Sequence, residues 1–363
     1  MWHGLPGREH GQDARATTRL IQKQYMTAIA KQLIKLLIRI LITTALLIWV
    51  FSQVDFEQFL ITIKSARWQF LLTVWVFTVI LFWIRSMKMR LILKKQSCLI
   101  STNTIFGATA ATSLYSLILP GILSTGIKWY ILKKGAGKSS NVLCSMIYNQ
   151  WTIMTIMMIF GLAALMFTNP ASLSISNKTN RWLFTLVCGI LLLAIIAVSL
   201  LLLNSRTGGK ITKGIAALLR PFPAKIRQKG LRMLDQIATF QTAGAGFHLK
   251  IASISIIDTL IGGVIVYILS ARAANVTAPV GTFVWLCAMI YILGRVPVSV
   301  ANLGVREVML VVLLAPYGVE KPQALLMSMI LFSALIVMAV IGAGYQILWT
   351  VTAKKSDTTL NNA

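Results

Sequence analysis

The sequence predicts an all-α polytopic membrane protein, and three observations carry that reading. Six apolar runs have bilayer length or nearly so: Leu41–Phe51, Phe70–Ile84, Leu143–Phe167, Trp182–Leu203, Ile251–Leu269 and Leu325–Val351. Crossing the hydrocarbon takes about 20 mostly apolar residues, and no soluble fold needs so many such runs. The chain is 57% hydrophobic with 12% charged residues, so its core is built against lipid. Its formal net charge is +26, and the basic residues flank the apolar runs, where Lys and Arg set orientation.

In a soluble chain that charge would point to nucleic acid. Here no basic face lies on a foldable soluble domain, so no nucleic-acid partner is expected. Cys98, Cys144, Cys188 and Cys287 are scattered without metal-ligand spacing. In or beside apolar runs a cysteine behaves as a small hydrophobe, so neither a disulfide framework nor a zinc site is indicated. His3, His10 and His248 form no cluster, and the sequence calls for no metal and no cofactor.

Residues 1–25 have no apolar core of a signal peptide and are polar and turn-like, with Gly7, Arg8, Glu9, Gly11, Gln12, Asp13 and Arg15. They read either as a disordered cytoplasmic tail or as a wrongly assigned extension ahead of a start at Met26. The fold is expected over 26–353, with 354–363 as a cytoplasmic tail.

The basic segments then fix the topology. Lys23, Lys31, Lys35 and Arg39 precede the first span, and the next connection is nearly neutral, with Asp55, Glu57, Lys64 and Arg67. Arg85, Lys88, Arg90, Lys94 and Lys95 follow the second span. The positive-inside rule puts both termini in the cytoplasm and Asp55 outside; about 27 of the 35 Lys and Arg fall inside on this arrangement. Thr104–Leu119 breaks this order, because both of its flanks are basic: Lys128, Lys133, Lys134 and Lys138 lie beyond it. A re-entrant hairpin turning at Pro120-Gly121 satisfies both flanks. Further on, 205–250 is a basic cytoplasmic loop whose apolar residues recur at helical spacing, as in a helix lying on the inner leaflet. Phe283–Ile292 breaks through Gly294-Arg295-Val296-Pro297 and restarts at Gly304, and Val305–Leu314 is too short to cross alone. This is a second hairpin, entered from outside. About six crossings and two opposed re-entrant hairpins result.

Paired interrupted segments in the two halves of a membrane protein point to a transport site. The first runs Leu119-Pro120-Gly121-Ile122-Leu123-Ser124-Thr125-Gly126-Ile127-Lys128 and the second Arg295-Val296-Pro297-Val298-Ser299-Val300-Ala301-Asn302-Leu303-Gly304-Val305-Arg306-Glu307. Each has a Pro, a small-residue stretch, a Gly, and a cation two residues past that Gly. Pro120, Gly121, Gly126, Pro297 and Gly304 are the expected hairpin breaks. Lys128, Arg295 and Arg306 are candidate phosphate partners. Glu307 suits the first turn of a helix through the macrodipole, whereas Arg306 is opposed by it and needs another partner. Asp258, inside a span, costs about 2.5–3.5 kcal/mol on insertion scales and must be paired, protonated or facing a cavity. Arg295 and Arg306 are its expected partners.

At these segments the chain resembles the transmembrane-region family of lysylphosphatidylglycerol synthases, flippase-like membrane proteins. The resemblance is carried by Leu119-Pro120-Gly121 through Gly126-Ile127-Lys128-Trp129-Tyr130, by Asn302-Leu303-Gly304-Val305-Arg306-Glu307 with Tyr317-Gly318-Val319, and by Ile84-Arg85-Ser86-Met87-Lys88-Met89-Arg90. It covers about residues 30–350. Lys128 stands where the family pattern suggests Arg, keeping charge but losing bidentate geometry. Tyr148-Asn149-Gln150-Trp151 stands where relatives often carry charge. No aminoacyl-transferase domain follows Val351, so the resemblance implies the lipid-handling membrane part without synthase activity.

The expected function is therefore translocation or presentation of an anionic or polyprenyl-linked lipid across the inner (cytoplasmic) membrane. Lys128, Arg295 and Arg306 would neutralise phosphate, with Asp258 and Glu307 beside them. The alternatives are a non-catalytic scaffold for cell-envelope glycolipid or polysaccharide enzymes and, less readily, a membrane-embedded lipid transferase. Only Asp258 and Glu307, of nine Asp and Glu, lie near the breaks, which disfavours catalysis.

Overall fold

The computed structural model describes residues 41, 44, 48, 52, 56–117, 119, 121–170, 178–204, 208–209, 224–295 and 303–361. Every regular element among them is helical. In chain order these are α1 (Phe56–Lys64), α2 (Trp68–Lys95), α3 (Thr102–Ser116), α4 (Gly121–Ala136), α5 (Ser139–Thr168), α6 (Lys178–Leu203), α7 (Ala224–Gln241), α8 (Ala245–Thr259), α9 (Val266–Ala273), α10 (Val280–Leu293), α11 (Val305–Leu314) and α12 (Lys321–Asn361). A π-helical turn, Leu260–Ile265, joins α8 to α9.

Five of the described helices are long and apolar enough to cross a bilayer: α2, α5, α6, the continuous α8–α9 rod and α12. Most of the expected first span, Leu41–Phe51, lies outside the described residues, as do residues 1–25. Local chemistry sets the element ends. The Ser101 hydroxyl accepts from Thr104 N–H to cap α3, Asn169 stops α5 in the left-handed region, and Pro279 precedes α10. Where the sequence places a short cytoplasmic tail, α12 stays helical to Asn361.

The spans differ in their surroundings. Only 6% of the apolar window of α6 is buried, against 50% for α12, so α6 faces lipid and α12 is central. The broadest helix pairing is α3 on α12. Gly342 of α12 lies against the Ala110 carbonyl of α3 so closely that a Cβ there would overlap the backbone. Small residues at such interfaces let membrane helices approach.

The short helices form two hairpins that open toward opposite ends of α2. At the Lys95 end, the Asn141 side-chain amide donates to Gln96 O at 3.0 Å, and Lys138 Nζ reaches Ser97 O at 3.5 Å. The chain therefore leaves α2, runs through α3 and α4, and returns to where it started. At the Trp68 end, Arg67 N–H donates to Ala273 O at 3.0 Å and Asn275 Nδ2 to Ser65 O at 3.0 Å, just ahead of α10. Val276 before α10, Leu314 at the end of α11 and Val319 beyond it share one buried cluster with Phe59 of α1 and Val74 of α2, which brings the second hairpin back to that end.

The basic loop contributes α7, which packs on α5 and α6. Tyr148 of α5 stacks on Phe240 of α7 at 4.3 Å, and its hydroxyl bonds His248 Nδ1 at 2.8 Å. Gln96 Nε2 donates to Gln236 O at 2.8 Å, tying α7 to the Lys95 end.

Candidate functional site

Helix α2 carries Arg85 and Lys88 well inside its length. At about 1.5 Å per residue, Arg85 lies about 15 Å from Lys95, Asp258 about 20 Å from Ala245, Lys128 about 12 Å from Ala136 and Arg295 about 22 Å from Val280. Given which ends these helices share, the four residues converge on the middle of the layer.

Asp258 is the centre of this convergence. Its carboxylate is 2.8 Å from Arg85 Nε and 3.5 Å from Lys88 Nζ, one cation on each oxygen. Lys88 is fully buried and also reaches Ser255 Oγ at 3.4 Å, one turn earlier on α8. Arg85 is half-buried over the Phe82 ring. Lys128 comes in from α4: it makes no hydrogen bond or ion pair with the described residues, and its electrostatic neighbours are Arg85, Lys88 and Arg295. Arg295, exposed at the end of α10, donates to the Tyr291 hydroxyl at 2.5 Å and covers its ring at 4.5 Å. Gln150 Nε2 donates to the same hydroxyl at 3.2 Å. Two cations thus hold Asp258, Lys128 lies near that pair, and Arg295 lies near Lys128.

The π-turn begins two residues past Asp258. Such turns occur often at functional sites, because they shift the register of the side chains around them. Here Gly263 in the turn faces Cys287 of α10, and Gly262 faces Leu81 of α2.

The second hairpin restarts in a different environment. Gly304 has φ +83°, a backbone conformation suited to glycine. The Glu307 carboxylate accepts from Gly304 N–H at 2.6 Å, Arg306 Nη2 at 2.7 Å and Ser328 Oγ at 2.6 Å. Arg306 Nε donates to Ser328 Oγ at 2.7 Å, and its guanidinium lies over Phe332. All three side chains are buried, and the network is closed.

Of the five residues the sequence singles out for a headgroup, Asp258 and Lys128 both lie at the Arg85–Lys88 pair and Arg295 lies near Lys128, while Arg306 and Glu307 pair with each other. The expected partners of Asp258, Arg295 and Arg306, are replaced by Arg85 and Lys88. Both were counted among the basic flank of the second span, but α2 continues to Lys95 and places them inside. Gly126 is also corrected: it lies within α4, with open space around it, and is no break. The first interruption falls between Ser116 and Gly121, the second between Leu293 and Val305. Pro120 and Pro297 lie outside the described residues. All four cysteines are free and buried, and no cluster of metal-ligating side chains occurs among the described residues.

The family model for the lysylphosphatidylglycerol synthase TM region matches residues 36–344. The chain belongs to this family. No curated protein and no solved structure matches it. Together with the five apolar spans, membership makes this a multi-pass membrane protein related to lipid handling. The match takes in both hairpins and every residue of the basic cluster.

Proposed function

We propose that this member of the family is a flippase-like translocase, moving or presenting an anionic or polyprenyl-linked lipid between the leaflets of the inner membrane. The observation that carries the reading is the excess of cations over carboxylates at mid-depth: Arg85 and Lys88 on Asp258, with Lys128 and Arg295 as further cations nearby. Charge in the hydrocarbon is costly and is retained where it pairs, lines a watery path or binds a substrate. Asp258 offsets one of the two charges on Arg85 and Lys88 when no lipid is bound. A phosphate brought in beside Lys128 and Arg295 offsets part of the remaining positive charge while its tails stay in lipid. Non-helical backbone at the two interruptions has its place beside such a polar path.

The reading is non-enzymatic. Asp258 is held by two cations and Glu307 by three donors, so neither is free to act as a general base.

Liposomes reconstituted with the full chain and fluorescent phosphatidylglycerol or polyprenyl-phosphate analogues test the proposal. Leaflet exchange faster than in protein-free vesicles, and slowed by Lys128→Ala, is expected. Equal exchange in protein-free, wild-type and variant vesicles would remove it.

A further inference from the structure

We infer that the basic cluster is matched to a headgroup bearing at least two negative charges, a phosphomonoester or diphosphate, and rejects headgroups with net positive charge. This rests on the cluster being a headgroup site and narrows what it takes.

The argument is a count of charges and donors. Asp258 is the carboxylate at this cluster, and both its oxygens are engaged by Arg85 and Lys88. Lys128 and Arg295 have no carboxylate partner among the described residues. Residues 296–302, which follow Arg295, read Val-Pro-Val-Ser-Val-Ala-Asn and contain no acid. Glu307 is committed to Arg306, Ser328 and Gly304 in the closed network. Among the described residues the cluster therefore holds three positive charges in excess, with both lysines protonated.

A phosphodiester supplies one negative charge and leaves two cations uncompensated. A phosphomonoester carries about −1.5 to −2 near neutral pH, and a diphosphate more. Donor geometry agrees: the Tyr291 hydroxyl accepts from both Gln150 and Arg295, leaving its own proton for a ligand oxygen. Lysylphosphatidylglycerol has two ammonium groups and one phosphodiester, so it would add positive charge where positive charge is already in excess.

The test is direct binding to the purified full chain in phosphatidylcholine nanodiscs. The probes are farnesyl diphosphate, farnesyl monophosphate, dioctanoyl phosphatidylglycerol, its lysyl ester and inorganic diphosphate. Affinity is expected to fall in the order diphosphate, monophosphate, diester, by at least about tenfold across the series, with no displacement by the lysyl ester. Lys128→Gln with Arg295→Gln should bring the diphosphate and diester within about threefold of each other. Lys128 makes no bond to the described residues and Arg295 meets Tyr291 from an exposed position, so the variant should fold, and size-exclusion chromatography checks this. Equal wild-type affinity for phosphatidylglycerol and farnesyl diphosphate, or competition by the lysyl ester, would overturn the charge rule and leave lipid binding standing. Inorganic diphosphate binding as tightly as the farnesyl compound would keep the charge rule and overturn the lipid source. Binding of none of the probes would overturn both.

Discussion

The Asp258 carboxylate holds the Arg85 guanidinium at 2.8 Å, joining two helices whose contacting residues are 173 positions apart in the chain. With Lys88 on the other oxygen, this pair fixes α2 against α8 at mid-depth. Breaking a buried pair by removing one partner costs about 3–5 kcal/mol, because the other charge is left without compensation. Asp258→Ala should therefore lower thermal stability in detergent far more than Arg85→Ala, since Arg85 keeps some access to water and Lys88 has none. Lys88→Met combined with Asp258→Leu should recover most of the loss. Differential scanning fluorimetry of the three variants measures the order.

The Arg306–Glu307–Ser328 network makes the opposite kind of prediction. It is closed on itself, so its loss should affect the fold and not headgroup selectivity. Glu307→Ala strands the buried Arg306 and removes the acceptor for Gly304 N–H, at a cost of about 3–5 kcal/mol. Ser328→Ala should cost about 1 kcal/mol. The surviving folded fraction of each should bind farnesyl diphosphate as wild type does.

Gly342 and Gly344 lie on the same helix and should respond differently. A Cβ at Gly342 meets the Ala110 backbone, whereas one at Gly344 meets nothing within 4 Å. Gly342→Ala should destabilise the α3–α12 contact by about 1–3 kcal/mol, and Gly344→Ala should be neutral or stabilising. Folded yield on size-exclusion chromatography separates the two.

Much of this architecture was legible because a bilayer imposes length. Both flanks of Thr104–Leu119 are basic, so a single crossing would put one of them on the wrong side and a hairpin follows, while Val305–Leu314 is too short to cross alone. Glu307 was legible too, as a carboxylate at a helix start. The partner of Asp258 was not. Arg85 and Lys88 sit near the end of an apolar run, where basic residues ordinarily mark the cytoplasmic boundary, and nothing local reveals that α2 continues to Lys95. The pairing of α2 with α8 leaves no periodic trace, and neither does the π-turn after Asp258. Ser328 is likewise an ordinary residue of an apolar helix until the fold brings it to Arg306.

The two hairpins open at opposite ends of α2, and labelling can read this. With the native cysteines buried, Ser97→Cys should react with an impermeant thiol reagent only from the cytoplasmic side, and Asn275→Cys only from the external side. Reaction of both from one side would mean that the hairpins are not opposed.

The most direct measurement concerns Lys128, the cation with no bond to the described residues. Lys128→Cys in reconstituted vesicles should react quickly with a small charged thiol reagent, and a polyprenyl phosphate should protect it. Leu193→Cys, on the lipid-facing side of α6, supplies the unreactive reference. If position 128 reacts no faster than position 193, or reacts equally with and without the phosphate lipid, there is no wet phosphate site inside this protein.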